Sequence, residues 1–148
     1  VGYIISSPSI MRTLRNMHDF TGLCAPSLAQ EALFSYLSGS EFGSRYTASV
    51  RKKCRASLKA VTPYLKKAGF ELTPAGGGYF SWAKLPSPEQ DSVRFAENLF
   101  RETGVAVVPG VNFSLSSRSY IRLNVAADKE MVSRAGKKIA DFAALHKG

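Results

Sequence analysis

The chain has 148 residues, 45% apolar and 11% aromatic, with a formal net charge of +9. That is enough apolar material for a buried core, in about one domain or one domain plus an appendage, and no apolar run approaches the roughly 20 residues needed to cross a bilayer. The opening VGYIISSPS has neither the basic leader nor the cleavage pattern of a signal peptide, so a cytoplasmic setting is expected.

Residues 1 to 6, VGYIIS, form a short apolar run that reads as a buried strand. Ser7 and Pro8 then occupy N-cap and first-turn positions, and Ile10, Met11, Leu14 and Met17 line one side of a helix. Pro26 opens a second helix carrying Leu28, Ala32, Leu33, Tyr36 and Leu37. The stretch SGSEFG separates it from a third and longer helix. Cys24 and Cys54 form no CxxC pair, and His18 and His146 are the only histidines, so free thiols and no structural zinc are expected.

The excess charge sits in the third helix. Arg45, Arg51, Lys52, Lys53, Arg55, Lys59, Lys66 and Lys67 fall between positions 42 and 69, a segment without an acidic residue. Tyr46, Val50, Cys54, Leu58, Val61, Leu65 and Ala68 recur there at steps of three or four and make an apolar stripe, with the basic residues largely outside it. A solvated helix face explains this pattern better than nucleic-acid binding, because no aromatic residues interleave with the exposed charges. Pro63 removes one helical hydrogen bond and crowds the carbonyl of Lys59, so a kink is expected.

Further along, residues 78 to 84, GYFSWAK, alternate like a strand. The preceding glycines lack the Lys-Ser/Thr of a phosphate loop and the spacing of a dinucleotide fingerprint, so PAGGGYFSW reads as a turn entering a strand, with Phe80 and Trp82 as packing residues. Ser87, Pro88 and Gln90 look like a capping-box start for a helix bearing Val93, Ala96, Leu99 and Phe100, and Gly104 supplies its stop. A strand at VAVVP, a loop at GVNFSLSSRS, a strand around Arg122 and a helix bearing Met131, Val132, Ala135, Ile139 and Phe142 complete the order.

That order divides the chain near residue 42 and predicts an α/β fold, a sandwich with helices covering one face of a small sheet. A strand beginning at Val1 has no partner nearby in sequence, so it is expected to continue a sheet formed by residues not present here or by another chain. Arg122 is the conspicuous residue. Tyr120, Arg122 and Asn124 alternate with Ile121, Leu123 and Val125, which places an arginine in the middle of an apolar strand.

Five segments, VGYIISSPSIMRTLRN, APSLAQEAL, GGGYFSWAKLP, GVAVVPGVNF and YIRLNVA, resemble in order and spacing the C-terminal half of class I/II aminotransferases, the pyridoxal-phosphate enzymes of fold type I. The resemblance implies that residues 1–41 end the large cofactor domain and that 42–148 form the linking helix and the small α/β domain. It also implies that Arg122 holds the α-carboxylate of the substrate, a task suited to a permanently charged planar fork that matches a carboxylate with two hydrogen bonds. An arginine on the solvent face of an edge strand is the alternative from composition alone.

The loop VPGVNF resembles one that approaches the family's active site, but a turn at Pro109 and Gly110 with Phe113 in the core fits as well. The family's Schiff-base lysine and most of its pyridoxal 5'-phosphate contacts would precede Val1, so the resemblance implies that this chain does not transaminate alone. Amino acid and 2-oxo acid substrates, the N-terminal half of the same protein and a homodimer are the implied partners, with neither nucleic acid nor membrane. A lyase or synthase of the same fold, and a non-catalytic module binding small carboxylates or a protein, are the rival readings.

Overall fold

A computed structural model describes residues 1–38, 41–74 and 76–146. The chain divides into two compact units, Val1–Ala48 and Ser49–Gly148.

In the first unit, helix α1 spans Pro8–Thr21 and helix α2 spans Ser27–Ser38. Proline suits the first turn of α1 because an N–H there would have no helical partner. Helix α3, Glu41–Lys67, begins in this unit, and Tyr36 Oη donates to the carbonyl of Gly43 at 3.0 Å. Positions 39 and 40 of the expected connector lie outside the described residues. Neither α1 nor α2 buries a residue; Met11 and Leu14 are half-buried, while Ile10 and Met17 are exposed.

The expected strand over residues 1–6 is not formed. These residues have no ladder partner among the described residues and are exposed throughout. An apolar run supplies side chains for a strand but not the neighbouring backbone that makes one, and no described residue supplies it.

The second unit is built on a four-stranded antiparallel sheet, β1 (Glu71–Leu72), β2 (Phe80–Lys84), β3 (Val108–Pro109) and β4 (Tyr120–Asn124), in the order β1-β2-β4-β3. The strand expected over 105–109 pairs only at Val108 and Pro109. Pro109 has no N–H to donate, and it stands on an edge strand where that loss is tolerated. Helices α3, α4 (Ser92–Thr103) and α5 (Lys129–Leu145) supply the other layer.

The core lies between these layers. Ser81 and Ala83 of β2 and Ile121 and Leu123 of β4 are the buried members of their alternating strands. Val61 and Leu65 from α3, Phe95 and Leu99 from α4, and Val132, Ile139 and Phe142 from α5 complete the cluster. Phe95 meets Phe70 and Phe142 edge-on, with ring centroids 5.9 and 5.3 Å apart, the arrangement favoured by the ring quadrupoles. This is the expected one-face sandwich.

The stripe of α3 is buried only toward its C-terminal end: Tyr46 and Val50 are exposed, Cys54 and Leu58 half-buried, Val61 and Leu65 buried. All eight basic residues of the segment are exposed, and the helix runs past Pro63 to Lys67. Helix α4 starts four residues later than the Ser87 cap predicts. Asp91 is its N-cap, and its carboxylate accepts from the N–H groups of Val93 and Arg94. Gly104 ends it with φ +71°, a left-handed conformation that glycine adopts without the Cβ penalty. No described helix is long and apolar enough to cross a membrane.

Candidate functional site

Because one face of the sheet is closed by helices, any site on β2 and β4 has to form on the other. Arg122 sits on that outward face, paired across the ladder with Trp82 on one side and Val108 on the other. The strand period places Phe80, Trp82 and Tyr120 there too, since Phe80 lies two residues from Trp82 and Tyr120 two from Arg122. The outward face is therefore aromatic around Arg122, while Lys84, the other cation on it, stands at the end of β2 opposite Tyr120 and is paired with Glu71.

The rings are close. The Cζ of Arg122 lies 4.0 Å from the centroid of the Phe80 ring and 4.5 Å from that of Phe113. Trp82 meets Phe113 edge-on at 5.5 Å and stacks on Tyr120 at 5.7 Å. Phe80 and Trp82 pack, as the sequence implies, but they pack around a guanidinium. Phe113 is not in the core; it is 51% exposed, on the segment joining β3 to β4.

Arg122 is half-buried, forms no ion pair among the described residues, and its Nε is buried without a hydrogen-bond partner. Removing a charged donor from water without a partner is costly. Cation–π contact offsets part of that cost, about 0.5–2 kcal/mol, but leaves the donor itself unpaired. A planar anion with two acceptor oxygens would complete the fork.

The acidic groups with displaced titration lie elsewhere, in the turn before α4. Burial favours the neutral form of Glu89, but N–H donation from Asp91, the Arg94 guanidinium at 2.8 Å and N–H donation from Gln90 outweigh it and hold the carboxyl below its usual range. Asp91 is lowered chiefly by the N–H of Arg94, with that of Val93 assisting. These groups cap and brace a helix.

A covalent aldehyde cofactor needs a desolvated lysine. Every described lysine is exposed except Lys84, which is half-buried and whose ammonium lies 3.4 Å from Glu71.

A family model for aminotransferase class I and II matches residues 1–139. A putative aminotransferase of Bacillus subtilis, YugH, is 30% identical over 143 residues, covering 96% of this chain and 36% of that protein. The aspartate aminotransferase of Thermotoga maritima is 30% identical over 142 residues, covering 96% and 35%. Among solved structures, an archaeal alanine:glyoxylate aminotransferase superposes with a TM-score of 0.74 at 28% identity, covering 96% of this chain and 36% of that one. The aromatic aminotransferase of Pyrococcus horikoshii gives 0.79 at 22% identity, covering 93% and 37%. The chain thus spans a little over a third of the length of the proteins it matches.

Proposed function

The chain belongs to the class I and II aminotransferase family, whose members depend on pyridoxal phosphate, and from that premise we propose that it is the C-terminal part of such an enzyme, with Arg122 gripping the substrate's α-carboxylate. The observation that carries this reading is the unpaired, buried Nε of a guanidinium set among aromatic rings. In the complete enzyme the cofactor supplies the electron sink for chemistry at the substrate's Cα.

What this chain contributes is binding and orientation. Two parallel N–H···O bonds from Arg122 fix the plane of the carboxylate and so the direction of the Cα–H bond and the amine. The guanidinium stays charged at any working pH, so it takes no proton in the reaction. The Nε of the fork is shielded from water, with the rings of Phe80 and Phe113 over the guanidinium, which strengthens the bond it makes.

Residues 1–41 belong, on this reading, to the end of the large cofactor domain, and 42–148 to the linking helix and small domain. The exposure of Tyr3, Ile5 and Phe20, at 88, 86 and 91%, supports an apolar neighbour for the first segment, the N-terminal half of the same protein. That half would hold most of the contacts to pyridoxal 5'-phosphate. The complete enzyme works as a homodimer in the cytoplasm and moves an amino group between an amino acid and a 2-oxo acid.

The test is turnover of an amino donor and a 2-oxo acid by the complete enzyme carrying Arg122→Ala. Loss of the grip should raise KM and lower kcat/KM by two to three powers of ten, since a buried, hydrogen-bonded charge pair is worth roughly 2 to 5 kcal/mol. Unchanged efficiency removes Arg122 from the site.

A further inference from the structure

Phe113 has an unusual set of neighbours for a half-exposed loop residue. Its segment leaves β3 through two single-turn 3₁₀ helices, Gly110–Asn112 and Leu115–Ser117, before β4 begins. Gly110 is buried, and a Cβ there would run into the carbonyl oxygens of Ser117 and Tyr120 and lie 3.0 Å from the Tyr120 Cβ. Glycine therefore lets the segment fold back against the start of β4. The N–H groups of Phe113 and Ser114 both donate to the Gly110 carbonyl, at 2.9 and 3.3 Å, which fixes where the phenyl ring departs.

The ring presents its face to the Arg122 guanidinium and meets Trp82 edge-on. Phe80 reaches the same guanidinium from a strand whose register is set by the ladder. One ring thus comes from the sheet and the other from a loop held by a glycine. An arginine side chain has several rotatable bonds, and a fork already held in one plane loses less freedom when a carboxylate binds.

We infer that Phe113 is a positioning residue: with Phe80 it holds the Arg122 guanidinium in the plane that receives a carboxylate. The inference rests on the reading of Arg122 as the carboxylate grip and adds that the grip is preorganised by a loop aromatic.

The experiment uses the complete enzyme labelled with 15N at arginine, with the Arg122 Nε–H resonance identified by its loss in Arg122→Lys. Sodium acetate is the probe, titrated against matched sodium chloride. In the native enzyme acetate should shift that resonance saturably. Phe113→Leu keeps apolar bulk but removes the π face; it should weaken acetate binding three- to tenfold and lower the heteronuclear NOE of the Nε–H. Phe113→Tyr restores the ring face and should bind within twofold of the native enzyme. Amide spectra reporting Leu99 and Ile121 in the core show that each variant is folded. Equal affinity and equal order in Phe113→Leu would overturn the inference while leaving the reading of Arg122 intact. A native resonance that acetate never moves would instead overturn that reading, and this inference with it.

Discussion

Arg122 stands directly opposite Trp82 in the antiparallel pairing of β4 with β2. The pair shares the sheet face that no described helix of the second unit covers, and Trp82 is the chain's single tryptophan. Its indole contacts Phe113, which contacts the guanidinium, so an optical reporter is built in beside the cation.

That arrangement makes Arg122→Lys informative. Lysine keeps the charge but has no planar fork, and its compact ammonium cannot form two parallel bonds to one carboxylate. Intrinsic Trp82 fluorescence titrated with a small carboxylate should show affinity falling about tenfold or more, about 1.4 kcal/mol, rather than being conserved with the charge. Equal affinity in the lysine variant would mean that charge alone suffices.

Gly136→Ala should destabilise the second unit, although alanine is the better helix former. A Cβ at Gly136 of α5 would collide with Cγ2 of Val61 on α3, and both residues are buried. Valine's branched side chain has few rotamers through which to retreat. The overpacking should cost about 1–3 kcal/mol. Denaturant titration should find Gly136→Ala less stable than the native chain and partial recovery when Val61→Ala is added.

At the start of α4, Asp91→Ala removes two accepted hydrogen bonds and should cost about 0.5–2 kcal/mol. Ser87→Ala, at the start expected from the capping-box pattern, should leave the helix unchanged. The pH dependence has a definite sign. Asp91 and Glu89 both titrate below their usual range in the folded chain, so their contribution is complete at neutral pH and disappears as pH falls through the acid range. Thermal melts from neutral to acid pH should show that loss shrinking in Asp91→Ala.

The basic face of α3 should tolerate charge reversal. Lys52 and Lys53 are exposed and neither forms an ion pair among the described residues. The pair Lys52→Glu and Lys53→Glu should change stability by no more than about 0.5 kcal/mol. A larger loss in a thermal melt would show that this face is packed against something.

Much of the second unit was legible along the chain. Alternation in residues 120 to 125 separates Ile121 and Leu123 from Arg122, and the three-to-four spacing in α3 and α5 picks out Val61, Leu65, Val132 and Ile139, because both signals follow from backbone repeats that hold wherever the element forms. Gly104 was readable for the same local reason. The start of α4 was not: Ser87 and Gln90 imitate a capping box, yet the backbone N–H groups at the helix end face Asp91. The run at residues 1–6 does not say what it pairs with, because pairing is a property of two segments.

The sequence by itself determined which side of β4 carries the cation, and that the cation is an arginine within a pattern resembling one family. The tertiary structure alone decided what surrounds it. Phe80 lies 42 residues before Arg122 and Phe113 nine before it, and no period links either to the guanidinium. Ladder register brings the first and the fold-back at Gly110 brings the second. Contacts set by chain closure depend on the whole path of the backbone, and so leave no spacing to read.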